Sequence, residues 1–260
     1  MKRQRIFDFL EENYRRFHRA DFISNDPISI PHRFKIKQDI EISAFFAATL
    51  SWGNRKTILQ STNRMMHLMD EAPYDFVMHH TDADLKKILP FVHRTFNATD
   101  ALYFIAFFHD YYAAHHSLEE AFLPTAGHWP GEQPWMEQAI AQFHEVFFAL
   151  EEAPQRTRKH VATPLRGSTC KRLNMFLRWM VRPADGGVDF GLWKNIQTAH
   201  LLMPLDVHVD RVARSLGLLQ RPSSDWKTVL ELTEALRTFD ANDPVKYDYA
   251  LFGVGVNAVI

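Results

Sequence analysis

Pro164-Leu-Arg-Gly-Ser-Thr-Cys-Lys-Arg-Leu-Asn174, followed downstream by Met203-Pro-Leu-Asp-Val-His-Val-Asp-Arg-Val-Ala-Arg214, is the part of the chain from which the fold is read. Each segment begins with residues that resist helix and then passes into helical spacing. Pro164 and Gly167 mark a tight turn. Leu173, Phe176, Leu177, Met180 and Val181 then fall at i, i+3, i+4, i+7 and i+8, the apolar face of an amphipathic helix with Lys171 in its first turn. In the second segment Asp206 stands where a helix N-cap is expected, and Gly217 closes a helix over Val207–Ser215 as its C-cap. A lysine and an aspartate, each at a helix start, form the one constellation in the chain that suggests chemistry.

Outward from this stretch the helical pattern repeats. Ile6, Phe9, Leu10, Tyr14 and Phe17 share one face of an N-terminal helix to Arg19. Asp39–Leu50 is apolar enough for a buried helix. Ser51-Trp-Gly-Asn54 interrupts it, with Asn54 placed to cap a helix from Arg55 to Met69. Short helices are expected at Tyr74–His79 and Asp82–Leu89. A longer one runs from Thr99 to Ala113, with Thr99 or Asp100 as cap. Leu123–Pro134 reads as the longest loop, and Pro134 opens a helix to Glu151. Ser224-Asp225 caps a helix to Arg237, and Asp243-Pro244 opens the last one through Phe252. No segment reads as a strand. With 21 phenylalanines, 10 glycines and prolines that punctuate helical patterns, the expected class is all-α. The expected architecture is a single domain over 1–260 in two helical lobes, with the turn and lysine helix at about 156–182 and the aspartate segment at about 203–217.

Composition removes several classes. Cys170 is the single cysteine, so no intrachain disulfide and no cysteine-based zinc or iron–sulfur site is available. The fourteen histidines include adjacent pairs, His79-His80 and His115-His116, whose side chains diverge on a helix. Asp206, His208 and Asp210 alternate, which brings ligands together on a strand but not on a helix, so no metal site is expected. The charged N-terminus is not a signal peptide, and no apolar run reaches the length of a membrane span. A cytoplasmic monomer without cofactor is expected.

The formal net charge is −1, yet its distribution is uneven. Ala153–Ala184 contains no Asp or Glu, while it holds Arg156, Arg158, Lys159, Arg166, Lys171, Arg172, Arg178 and Arg182. Such a window reads either as a solvated helix face or as a footprint for phosphates.

An amine nucleophile must be unprotonated, whereas lysine is ordinarily charged at neutrality. A helix N-terminus, the neighbouring arginines and the apolar Leu165 and Leu173 all work against that charge at Lys171. A carboxylate such as Asp206 could take the proton, and the two together suit attack on C1′ of a deoxynucleoside through an imine. By spacing alone, the reading of Lys171 as a surface lysine and Asp206 as a plain N-cap is the stronger one. Trp52, at a helix break, is a candidate to stack on an extruded base. Trp179 and Trp193 read as core.

Leu165-Arg-Gly-Ser-Thr-Cys-Lys171 resembles the Leu-Pro-Gly-Val-Gly-x-Lys signature of the helix-hairpin-helix–GPD superfamily of DNA glycosylases. Leu205-Asp-Val-His-Val-Asp-Arg-Val212 is similar to that family's Val-Asp-Thr-His-Val-x-Arg-Val box, and Phe45–Asn54 resembles its early helix end. The resemblance implies a two-lobed, all-helical fold with a DNA-binding cleft, Lys171 as imine-forming nucleophile and Asp206 as its partner. It implies that the turn Arg166, Gly167, Ser168, Thr169 and Cys170, with Arg172, holds a phosphate, often with a bound monovalent cation. Trp52 and Asn54 would then lie by the base pocket. Thr169 stands for the signature's second glycine, Arg166 for its proline, and Gly53 for a glutamine. Asp243-Pro-Val-Lys-Tyr-Asp-Tyr-Ala-Leu-Phe-Gly253 resembles the ending of a bacterial family with no assigned function.

The expectation is a glycosylase with lyase activity on lesion-containing double-stranded DNA, the lesion being a base such as an oxidised purine. The alternatives are a non-catalytic DNA- or RNA-binding protein of the same fold, and an enzyme acting on free nucleosides or RNA.

Overall fold

A computed structural model describes residues 2–124 and 135–257. The described residues are all-α with one small exception: Val92–His93 and Phe96–Asn97 pair as an antiparallel ribbon. Two residues per strand are too few for alternation to register in sequence, which is why no strand was expected there. Most of the proline- and glycine-rich stretch 123–134, including Pro134 itself, lies outside the described residues. The helix after it runs over Met136–Phe147, ending short of the expected Glu151.

The chain divides into two compact units. One comprises Met1–Phe22, Pro130–Glu137 and Thr163–Ile260, the other Ile23–Trp129 and Gln138–Ala162.

The second unit is organised around helix Lys37–Leu50, in which every residue from Asp39 to Leu50 is buried. Phe45 meets Phe104, Phe108, Phe143 and Phe147 at ring separations of 5.5–5.6 Å. Burying Glu41 among them demands partners. Tyr112 Oη donates to it at 2.7 Å, Ser117 Oγ at 2.6 Å and the Leu118 amide at 3.0 Å. The helix expected from Thr99 starts one turn-residue earlier, over Ala98–Ala114, and its cap is Asn97 rather than Thr99 or Asp100. Asn97 accepts from the Thr99 amide, and Asp100 reaches back to the Asn97 amide, forming a capping box. At the break after the buried helix, Gly53 has φ +98°, and a Cβ there would lie 2.7 Å from Arg94 Nη1. Glycine is required at that point.

The first unit holds helices Lys2–Phe17, Lys171–Val181, Val207–Leu216, Trp226–Arg237 and Asp248–Asn257. The C-terminal helix packs against both the N-terminal helix and Val207–Leu216. Two of its glycines make that approach possible: a Cβ on Gly253 would collide with the Phe17 ring, and one on Gly255 would lie 2.8 Å from the His208 carbonyl oxygen. The last helical stretch opens at Asp243-Pro244 as expected, through a 3-10 turn, Pro244–Tyr247, that leads into helix Asp248–Asn257; the Asp243 side chain makes no cap bond and pairs with Arg182. After the lysine helix the backbone folds back along it, with Phe190 N donating to Trp179 O (2.8 Å) and Trp193 N to Met180 O (3.0 Å). Trp179 and Trp193 are fully buried core. Among the described residues no helix is long and apolar enough to cross a membrane.

Candidate functional site

The Pro164–Arg166 turn is capped by Thr163, whose Oγ1 accepts from the Leu165 amide. Gly167 follows at φ +73°, and its carbonyl accepts from the Trp226 amide at 3.1 Å, which fixes the turn to the helix after Asp225. The Cys170 amide then donates to Ser168 Oγ at 3.1 Å, and Asn174 Nδ2 to the Thr169 carbonyl at 3.1 Å. Thr169, which stands for the signature's second glycine, has no left-handed backbone; beyond Gly167 the left-handed position of the turn is Cys170, at φ +48°, the N-cap of the lysine helix. Its thiol is buried, which pushes it up to about 12 and leaves it inert rather than reactive.

Lys171 is the first residue of the helix so formed. Its Nζ lies 3.9 Å from Asp206 Oδ2 and 3.5 Å from Met175 Sδ. Asp206 caps the neighbouring helix: Oδ1 accepts from the His208 and Val209 amides at 2.9 and 3.0 Å. Two helix starts separated by 206 − 171 = 35 residues thus meet through their first side chains. Each side chain keeps partial contact with solvent, 24% and 17% exposed.

Around them, Leu165, Arg166 and Gly167 are exposed and Ser168 and Thr169 half-buried. Arg172 is half-buried, and burial draws its guanidinium down to about 10. Trp52 and Asn54 belong to the second unit. There Trp52 packs edge-on to His93 (4.8 Å) and beside His160 (5.7 Å), while Asn54 Oδ1 accepts from the Lys56 amide to cap helix Arg55–Leu68.

The acid-free basic window is not a uniform cationic face. Arg178 pairs with Asp189 and Asp248, Arg182 with Asp189 and Asp243, and Arg156 with Asp100. These acids lie outside the window in sequence, so counting charges within it overstates the positive field. Arg158 stacks over the Phe148 ring at 4.8 Å.

Asp206, His208 and Asp210 do not converge. Asp210 pairs with Arg214 at 2.7 Å, and His208 Nδ1 lies 3.3 Å from the Gly255 carbonyl. Among the described residues, no group of three His, Cys, Asp or Glu side chains is arranged to hold a metal ion.

One acid went unrecognised in the sequence. Asp248, first residue of the C-terminal helix, is buried, bonds Arg178, and feels both Asp206 and Lys171. Burial raises its carboxyl and Arg178 opposes this; with the further push of Asp206 it titrates at about 6. Its only sequence signal was the Lys-Tyr-Asp-Tyr run at an otherwise apolar helix start.

The chain belongs to the family described as protein of unknown function (DUF2400), which matches residues 26–257. That match corrects the expectation of membership in the helix-hairpin-helix–GPD glycosylases: the short boxes around Lys171 and Asp206 resemble that superfamily, but the family matched over most of the chain is a different one. No curated protein and no solved structure matches the chain.

Proposed function

We propose, from the Lys171–Asp206 pair, that this protein is a DNA glycosylase with lyase activity that removes a damaged base through a lysine imine. The carrying observation is the 3.9 Å approach of Lys171 Nζ to Asp206 Oδ2 at the starts of two helices.

Asp206 takes a proton from the Lys171 ammonium. The free amine attacks C1′, the new N–C1′ bond forms, and the glycosidic bond breaks with its electron pair leaving on the base. The attacking nitrogen gives up a proton to the departing base. The C1′–O4′ bond then opens, O4′ takes the proton held by Asp206, and a protonated imine joins Lys171 to C1′. Charge is balanced at each stage, and Asp206 ends as it began.

The partner in this reading is double-stranded DNA carrying a lesion, with the exposed Leu165–Gly167 turn facing a phosphate. A monovalent cation at that turn would add to its grip. Because Arg156, Arg178 and Arg182 are already paired with acids, binding should depend on salt less steeply than eight free cations would give. The same pairing favours, as a second reading, a nucleic-acid-binding protein that has no lyase step.

Borohydride reduction during incubation with a panel of lesion and abasic duplexes tests the proposal. Wild-type protein should form a covalent adduct. Lys171→Ala should form none, and Asp206→Asn a reduced amount. Absence of an adduct with every duplex, alongside measurable DNA binding, would leave the second reading in its place.

A further inference from the structure

Helix Arg55–Leu68 of the second unit has two unlike faces. Ile58, Ser61, Thr62, Met65 and Met66 are buried. Lys56, Gln60, Asn63 and Arg64, at i, i+4, i+7 and i+8, are exposed. The segment Pro90–Arg94 runs along this helix in the opposite direction and is pinned to it at three points. The Arg94 side chain lies over Gly53, His93 Nδ1 is 2.8 Å from Ser61 Oγ, and Arg64 Nη2 donates to the Pro90 carbonyl at 3.1 Å. Arg94, itself exposed, therefore stands at the N-terminal end of the helix. It turns the ribbon between Val92–His93 and Phe96–Asn97 at φ +54°. Glycine or asparagine takes that left-handed conformation at less cost, so the strain falls on the residue that brings the charge. Arg156 Nη2, donating to the Thr95 carbonyl at 3.0 Å, holds the other turn residue.

Ile42–Met69 and Leu85–Thr99 contain no Asp or Glu. By itself that decides nothing, because the arginines of Ala153–Ala184 also lack local acids and are nevertheless paired across the fold. Here the outcome differs. Among the described residues no carboxylate pairs with Lys56, Arg64 or Arg94. The bond of Arg64 to Pro90 and its position 5.9 Å from the Phe91 ring centre order the guanidinium without neutralising it. The face ends at Asp70 and Glu71, just beyond the helix.

We propose that the exposed face of helix Arg55–Leu68, with Arg94 at its end, is a docking surface for the sugar–phosphate backbone of duplex DNA. The proposal does not rest on the chemistry of Lys171. Lys56, Arg64 and Arg94 supply the salt-dependent attraction. Gln60 and Asn63 between them are neutral donors of the kind that bond phosphate oxygens and fix the position of a duplex. A lipid surface matches this face less well, because the helix exposes no large apolar side chain to insert.

Fluorescence anisotropy of a short undamaged duplex, titrated with the full chain over a series of salt concentrations, tests the proposal. Wild-type protein should bind. Lys56→Gln, Arg64→Gln and Arg94→Gln should each lessen the slope of log K against log salt by about 0.9, and the triple variant by the three together. Losing the same charge elsewhere, through Arg15→Gln, Arg16→Gln and Arg19→Gln combined on the N-terminal helix, should leave the slope as it is. No binding by the wild type, a folded triple variant with the wild-type slope, or an equal fall in both triple variants overturns the proposal. Sedimentation with anionic phospholipid vesicles that is lost in the first triple variant, with the DNA slope unchanged, overturns it in favour of a lipid surface. Should Arg64→Gln or Arg94→Gln fail to fold, Lys56→Gln, on the helix surface, decides by its own slope. Borohydride trapping reads the Lys171 proposal separately: a protein that binds duplex DNA through this face and traps no lesion supports the docking surface and counts against the glycosylase reading alone.

Discussion

Asp206 faces Lys171 with one carboxylate oxygen and caps its own helix with the other. The two roles are separable by substitution. Asn caps a helix as well as Asp, so Asp206→Asn should unfold at the wild-type urea midpoint while losing the negative charge opposite Lys171. Asp206→Ala loses both, and should be less stable by about 1 kcal/mol. Equal loss of stability in the two variants would show that the charge, and not the cap, holds this turn.

Gly255→Ala should separate the C-terminal helix from the helix that Asp206 caps. The added Cβ would meet the His208 carbonyl oxygen at 2.8 Å, a backbone atom that cannot rotate away. Overpacking of this kind costs about 1–3 kcal/mol. Urea unfolding should show that loss; a wild-type midpoint would mean the helices can part freely.

Arg182 is 1% exposed and holds Asp189 and Asp243 together. Arg182→Met removes the cation and leaves two acids facing each other, Asp189 wholly buried. Breaking one partner of a buried ion pair costs about 3–5 kcal/mol. An Arg182→Met protein with near wild-type thermal stability would contradict the buried network.

Cys170 should resist alkylation in the native protein. Its thiol is pushed up to about 12 by burial, so almost no thiolate is present at pH 8. Iodoacetamide at that pH should leave the folded chain unmodified and label it promptly in urea. Rapid native labelling would show that the turn before Lys171 opens.

Stability should fall as the pH is lowered from 7.5 to 6. His18, His93 and His200 are each lowered from the ordinary value of 6.5 by burial, with Arg182 adding to the effect at His18 and Arg237 at His200. The unfolded chain therefore binds more protons below about pH 6.5 than the folded one, and acid favours unfolding. Asp248 acts in the opposite sense, since its raised carboxyl takes up a proton in the folded state as pH falls through about 6. Its contribution begins only at the lower end of this window. A thermal midpoint that is unchanged or higher at pH 6 than at pH 7.5 would refute the histidine assignment.

The helices and their starts were legible because caps and amphipathic spacing are local. Asp206, Asp225, Asn54 and Gly217 occupy the roles their sequence context indicates. The Asn97 cap was missed because Thr99 and Asp100 are equally good cap residues one turn inside it, and only the reciprocal bonds distinguish them. The positive φ at Cys170 was missed because a cysteine carries no signal for a left-handed position; Ser168 Oγ, which takes the Cys170 amide proton, belongs to the turn that holds it.

By itself the sequence determined an all-α protein with Lys171 and Asp206 at two helix starts, since helix formation and capping depend on residues within a turn or two of each other. Only the tertiary structure decided which charges remain available. Arg178 and Arg182 look like an open basic face until Asp189, Asp243 and Asp248 arrive from 7 to 70 residues away along the chain. Burial makes that pairing obligatory, because a guanidinium taken out of water must find a carboxylate wherever the fold brings one. The same packing buries Asp248 against Arg178, 70 residues away in the chain, a meeting that no local pattern encodes.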